Sequence, residues 1–343
     1  MFSFVECAIP LVAAPMAGGP STPALVAAAA EAGGLGFLGG GYLTDASLGD
    51  RIRATRELTS APFGVNLFVP GARSPASRGL DAYRRELQAE AGRYGIELPE
   101  PDSTDTDHYA DKLALLCDEQ PVAVVSFTFG LPGRDAVAAL HAVDTCVAIT
   151  VTNRHEARAA VERGADALVV QGPEAGGHRG THDVGASADA TPLIELVRAV
   201  RTSTTLPIVA AGGVSMRERV AELRAAGASV VAVGTALLRS PECGASQTHK
   251  DALASGQFTE TRVTRAFSGR LARALVNRFV AEHDATAPAV YPEVNQLTRP
   301  IRAEAVKKGD AGGLALWAGT GYASARATGA ADILRELAPH GGS

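Results

Sequence analysis

The chain concentrates its most suggestive chemistry in one stretch, Gln171-Gly172-Pro173-Glu174-Ala175-Gly176-Gly177-His178-Arg179-Gly180, where a histidine stands among glycines. Imidazole, with an ordinary pKa near 6.5, is the natural general base at neutral pH, and bare glycine backbone on its flank lets a ligand approach closely. Two later turns carry glycine in the same way, Gly212-Gly213 and Gly234-Thr235, each between an apolar run and the start of a helical segment. Such turns present backbone amides, and helix N-termini add partial positive charge, so together they suit a phosphate. Taken singly each is an ordinary tight turn. The other histidines (His108, His141, His155, His249, His283 and His340) fall on polar helices, linkers or the tail, where a solvent-exposed ring is the expectation. His182 is assigned to the outer side of the loop that carries His178.

Three patterns look chemical and have plainer readings. Gly34-x-Gly36-x-x-Gly39 matches a dinucleotide fingerprint, but a helix precedes it and a strand runs through it, the reverse of what that fingerprint needs. Close packing through small residues is the better reading. His178, His182 and Asp183 in HRGTHD have the spacing of a metal pair only on a helix, which Gly176, Gly177 and Gly180 oppose, so no metal is expected. Cys7, Cys117, Cys146 and Cys243 are widely spaced without a Cys-x-x-Cys pair and read as thiols of a reducing compartment, with Cys243 an inert one.

The elements that must position these residues alternate regularly. Nearly continuous apolar runs of strand length lie near 11–14, 35–38, 63–67, 122–127, 146–151, 167–170, 207–211 and 230–233, as expected for parallel strands buried on both faces. Helical segments separate them, at 23–32, 46–58, within 75–118, and at 135–142, 155–163, 190–201 and 216–226. Eight such units make a closed (β/α)8 barrel of the TIM type the economical α/β fold, ahead of a doubly wound open sheet. In a barrel the glycine turns after the last strands frequently hold phosphate. Residues 1–240 form this barrel. Residues 241–306 show no strand-like run and are expected to make a small helical lobe over the barrel mouth. Residues 307–343 return to the barrel.

Composition narrows the function classes. The chain has 343 residues, 46% apolar and 20% charged, with 32 basic against 37 acidic side chains and only 5% aromatics. A mildly acidic, evenly mixed charge gives no electrostatic case for nucleic acid or anionic lipid. The N-terminal stretch lacks the positive start of a secretory signal, and Pro15, Pro20 and Pro23 interrupt its apolar run. A cytoplasmic protein without membrane contact is expected.

With these residues in view, QGPEAGGHRG resembles the central motif of the nitronate monooxygenases, formerly 2-nitropropane dioxygenases. The resemblance extends through PLVAAPMAGG, FGVNLF, VVSFTFGLP, PIVAAGGV, VAVGTALLRSPE, TRAFSGRLARALVNRF and LWAGTG, nearly the whole chain. It implies flavin mononucleotide (FMN) in the barrel mouth and metal-free oxidation of a nitronate or nitroalkane by O2 to a carbonyl compound and nitrite. Carried over by position, the flavin contacts fall on Ala14, Pro15 and Met16, on Asn66 and Gln171, on Gly176 and Gly177, and around the phosphate on Gly212, Gly213, Ala232, Val233, Gly234 and Thr235. The catalytic base falls on His178, which would take the α-proton of a neutral nitro compound. A homodimer is the candidate assembly. Many relatives carry Gly-Gln-Gly where this chain has Gly319-Thr320-Gly321, and some carry a basic residue in place of Thr150, so one polar contact at each position is expected to be lost. The alternative is an FMN-dependent enoyl-acyl-carrier-protein reductase using NAD(P)H, which is related and shares a Gly-Gly-His loop; HRG and FSGRLARALVNRF favour the monooxygenase. A non-catalytic flavin-binding protein is the remaining class, opposed by the intact His178 and phosphate turns.

Overall fold

A computed structural model describes residues 1–71, 79–187 and 189–339. His340 and the start of the 75–118 segment lie outside them. The apolar runs form parallel strands β1 (Leu11–Ala13), β2 (Leu35–Gly39), β3 (Gly64–Phe68), β4 (Val124–Thr128), β5 (Cys146–Val151) and β6 (Ala167–Gln171). After a two-residue strand, β7 (Gly177–His178), come β8 (Ile208–Ala211) and β9 (Val230–Val233). The barrel order is β1-β2-β3-β4-β5-β6-β8-β9, and β9 closes on β1 with Val12 opposite Ala232. The eightfold alternation read from the sequence is therefore the TIM barrel observed.

Side chains fill the barrel floor. Phe4, Val12, Phe37, Val124, Val209 and Val230 pack in one buried cluster that includes Cys146. Gly64 makes room for this filling, because a Cβ there would overlap the Phe37 ring. The glycine string after the first helix is also a packing device. A Cβ on Gly36 would sit 2.6 Å from Val26 Cα, and one on Gly39 would sit 2.9 Å from the Ala17 nitrogen. Local signals set the helix starts: Thr22 caps Pro23–Glu31 by accepting from the Leu25 amide, and Asn153 caps Arg154–Arg163 from Glu156.

The segment after residue 240 departs from the helical expectation. Helices Gln247–Ala254 and Arg278–His283 flank two strands, β10 (Thr261–Thr264) and β11 (Ala272–Leu275). These pair antiparallel, and β11 pairs antiparallel with β7, placing Ala272 opposite His178. ARAL contains good helix formers, but main-chain pairing to the glycine loop overrides that preference. The proline-containing stretch TAPAVYPEVNQLTRP runs into helix Glu293–Lys307, with Pro300 inside it. A second core joins Tyr83, Leu87 and Tyr94 of helix Leu80–Tyr94 to Phe267, Phe279, Leu297 and Ile301. The lobe thus draws its core from two distant parts of the chain. Among the described residues no helix is long and apolar enough to cross a membrane.

Two glycine substitutions should behave oppositely. Gly64→Ala overpacks the barrel floor and is expected to destabilise by about 1–3 kcal/mol. Gly92→Ala, on a helix with open space around it, is expected to stabilise by roughly 0.5–1 kcal/mol. Denaturant titration of both variants checks the pair.

Candidate active site

Strand ends and the loops behind them enclose a cavity of about 610 Å³ at the C-terminal face of the barrel. Its lining includes Ala14, Pro15, Met16, Asn66, Gln171, Gly176, Gly177, His178, Gly212, Gly213, Ala232, Gly234 and Thr235. Of the thirteen candidate flavin contacts only Val233 is not on the lining; it is fully buried and packs outward against the helices.

The loop after β6 is built as a closed circuit. Gln171 Nε2 donates to the His178 carbonyl at 2.9 Å, and its Oε1 accepts from the Gly180 amide at 2.8 Å. Arg179, wholly buried, donates to the carbonyls of Gln171 and Gly172. Gly177 takes φ +74°, a left-handed conformation that suits glycine, and Gly176 has no room for a side chain against Gly319. The loop therefore delivers His178 to the cavity while Gln171 serves the loop itself.

His178 sits half-buried between Trp317 and Phe129, at centroid distances of 5.2 and 5.6 Å. Nε2 lies 2.8 Å from Ser268 Oγ, and that hydroxyl reaches the Arg270 carbonyl at 3.3 Å. With the serine proton on that carbonyl, Nε2–H donates to Ser268 and Nδ1 carries the lone pair. Dense protein around the ring, with the guanidiniums of Arg270 and Arg302 adding to it, pushes the His178 pKa down to about 3. At neutral pH the imidazole is uncharged.

The two glycine turns, Gly212-Gly213 and Gly234-Thr235, form an open cradle. Gly212 and Gly213 take φ +131° and +65°, and a Cβ on Gly213 would lie 2.9 Å from Glu174 Cβ. Among the described residues the amides of Gly213 and Gly234 have no hydrogen-bond acceptor. A Cβ on Gly234 would meet only Ala14 Cβ at 3.7 Å and Met16 Sδ at 3.9 Å, both on the cavity wall. Below, Asn66 Nδ2 donates to Ser126 O, Ser126 Oγ and Thr128 Oγ1 at 3.1, 2.9 and 3.0 Å, and Thr128 bonds Thr150 at 3.2 Å. Thr150 thus joins a buried polar floor. Thr320 donates its amide to the Glu174 carbonyl at 3.0 Å, with its exposed side chain above Gly213.

A profile described as nitronate monooxygenase matches residues 3–340. The chain belongs to the nitronate monooxygenase family. A nitronate monooxygenase of Pseudomonas aeruginosa is 40% identical to it, covering 96% of this chain and 95% of its own. A probable nitronate monooxygenase of Staphylococcus saprophyticus is 38% identical, over 90% and 88%. Among solved structures, a nitroalkane oxidase from Streptomyces ansochromogenes superposes with a TM-score of 0.92 at 45% identity, over 97% and 96% of the two chains. FabK from Thermotoga maritima is more distant, with a TM-score of 0.75 at 25% identity over 97% and 93%. Membership makes the protein a flavin-dependent oxidoreductase. The site fits that cofactor, since the unpaired glycine amides suit its phosphate and the cavity leaves room at Gly234.

Several sequence expectations change. His182 is not on the outer side of its loop: its Nε2 bonds the Thr150 carbonyl at 2.9 Å, and its amide donates to Glu156 at 3.0 Å. His249 and His283 are buried rather than solvated, and His249 lines the cavity with its pKa pushed down to about 4 by burial. Cys243 is buried, and burial raises its thiol pKa, in keeping with an inert group. Sequence reading missed Ser268, Arg270, Phe129, Trp317, Tyr42 and Arg302 around His178. Only the glycine run before Tyr42 offered a signal.

Gly234→Val is expected to yield folded protein that has lost most of its bound flavin, because the added methyls enter the cavity. Flavin released per mole of protein, read beside the melting temperature, checks this. Full flavin occupancy would contradict the cradle.

Proposed function

We propose that this protein uses FMN and O2 to oxidise alkyl nitronates, and nitroalkanes more slowly, to a carbonyl compound and nitrite. One observation carries the choice of substrate form. The cavity lining contains Arg51, Arg299 and Arg302 beside the neutral rings of His178 and His249 and, among the described residues, no aspartate or glutamate. A chain of net charge −5 has thus kept carboxylates out of this cavity, and the resulting field favours an anion. Both the nitronate monooxygenase relatives and the nitroalkane oxidase neighbour support the same chemistry. Bound FMN supplies the electron acceptor that hands substrate electrons to O2.

The protein's own share is binding and proton control. We assign the flavin contacts to the thirteen residues carried over above and the catalytic role to His178. For a neutral nitroalkane, Nδ1 of His178 is the available base, but a pKa near 3 makes it a weak one at neutral pH. A preformed nitronate needs no deprotonation, so the same neutral imidazole serves only to hydrogen-bond and shape the pocket. Residues 1–240 act as the FMN-binding barrel, with 241–306 over its mouth and 307–343 closing beside loop six. Four unpaired thiols suit a reducing cytoplasm.

Aerobic turnover of a nitronate panel with nitrite detection, and anaerobic mixing with NADH, separate this reading from a nicotinamide-driven reductase. His178→Ala is expected to lower nitroalkane turnover by about 10²-fold, the lower end of the worth of a positioned base because its pKa lies near 3, and to affect preformed nitronate much less. Equal losses on both forms would mean that His178 binds the nitro group instead. A free imidazole would protonate below about pH 6.5, whereas one held near 3 stays neutral. Nitronate kcat/KM in the wild type is therefore expected to show no histidine limb between about pH 5.5 and 8.

A further inference from the structure

The turn after β2 holds a tyrosine that the flavin contacts and His178 do not explain. Tyr42 follows Gly40-Gly41 and takes φ +67°, a left-handed conformation that side chains rarely adopt. It is held there from outside the barrel. Its amide donates to Asp107 Oδ1 at 2.7 Å, and Asp107 Oδ2 pairs with Lys112 Nζ at 2.7 Å. Lys112 is 1% exposed and also donates to the Gly40 carbonyl at 2.9 Å. One buried ion pair thus clamps both ends of the turn. Gly41 completes the arrangement, since a Cβ there would overlap the Phe68 ring. Backbone strain of this kind persists only where its surroundings over-determine it, and it clusters at ligand-binding sites.

The clamp presents the phenol to the cavity. Tyr42 lines it, edge-on to Phe68 at 5.5 Å, and Phe68 leads through Phe129 to the His178 ring. The Tyr42 oxygen is removed from solvent and has no partner at full hydrogen-bond geometry among the described residues; the Tyr291 hydroxyl beside it faces it as a donor, which leaves the Tyr42 proton without an acceptor. Arg302, on the cavity lining, and the buried Arg270 are its cationic neighbours, while Asp107 is engaged by the Tyr42 amide and Lys112. Burial raises the phenol pKa, so the group remains a donor. A buried donor without an acceptor is costly unless a ligand supplies one.

We propose that Tyr42 is a substrate-binding residue whose hydroxyl donates to an anionic oxygen of the nitronate, and that Asp107 and Lys112 are positioning residues acting through it. This rests on the nitronate reading of the same cavity. Nothing in the proposal requires Tyr42 to move a proton, so binding and turnover separate.

Nitrate, a planar anion carrying the same N–O oxygens, is the probe, followed by perturbation of the bound flavin's absorption. Tyr42→Phe is expected to weaken nitrate about 10- to 100-fold, the range for a hydrogen bond to a charged group. It is expected to raise the KM for nitronate similarly with kcat within about twofold. Asp107→Asn with Lys112→Met removes the pair without stranding a buried charge. In that background Tyr42→Phe is expected to add little, since the hydroxyl is already misplaced. Unchanged nitrate affinity and nitronate KM in flavin-replete Tyr42→Phe overturns the binding role, as does nitrate that fails to perturb the wild type. Additive losses overturn the positioning role. Nitrate binding needs no turnover, so a wild type that ignores nitronates while Tyr42→Phe still weakens nitrate rejects the substrate and keeps the anion donor.

Discussion

The site depends on the loop between Gln171 and Gly180 closing on itself. A wholly buried Arg179 grips the carbonyls at the loop's start, and the Gln171 side chain grips its end at His178 and Gly180. A guanidinium in such a place is expensive: Nε and Nη2 have no partner among the described residues, and the carboxylates of Glu156 and Glu174 act only through their field. Replacing buried ions by apolar groups is often neutral or stabilising. The geometric constraint, rather than stability, is what Arg179 supplies.

The lobe and the barrel follow from that constraint. With the loop closed, its outer edge becomes a strand, and β11 pairs with it to bring Ser268 and Arg270 above His178. Trp317, bridged to Ala274, covers the other side of the ring. Gly319 then packs against Gly176 and donates its amide to Thr235 Oγ1 at 2.9 Å, tying the C-terminal segment to the Gly234-Thr235 turn. The imidazole is desolvated by three separate parts of the chain. Its neutrality is a property of the whole assembly.

Much of this was legible in the sequence, and the reasons differ by element. The eight strands could be read because strands buried on both faces are continuous apolar runs. That His178 and the turns at Gly212-Gly213 and Gly234-Thr235 meet on one cavity could be read because glycine after an apolar run is a local signal of a strand-end loop. β10 and β11 were not, since ARAL is made of good helix formers; their mutual pairing is local, but the partner that holds β11 in place, β7, lies nearly a hundred residues away. Ser268 lies 90 positions from His178, and Asp107 lies 65 from Tyr42. Neither pairing leaves a periodic trace. His182, His249 and His283 look polar in their segments and are buried by packing that no local window contains.

The folded protein holds His178 as an uncharged imidazole on a cavity lining whose charged side chains are arginines. Histidine-selective 15N and 13C labelling, with His178→Gln for assignment, reads the protonation state directly in the flavin-loaded protein. The His178 ring signals are expected to remain those of a neutral imidazole from about pH 8 down to about pH 5. A titration midpoint near the ordinary value of about 6.5 would contradict it.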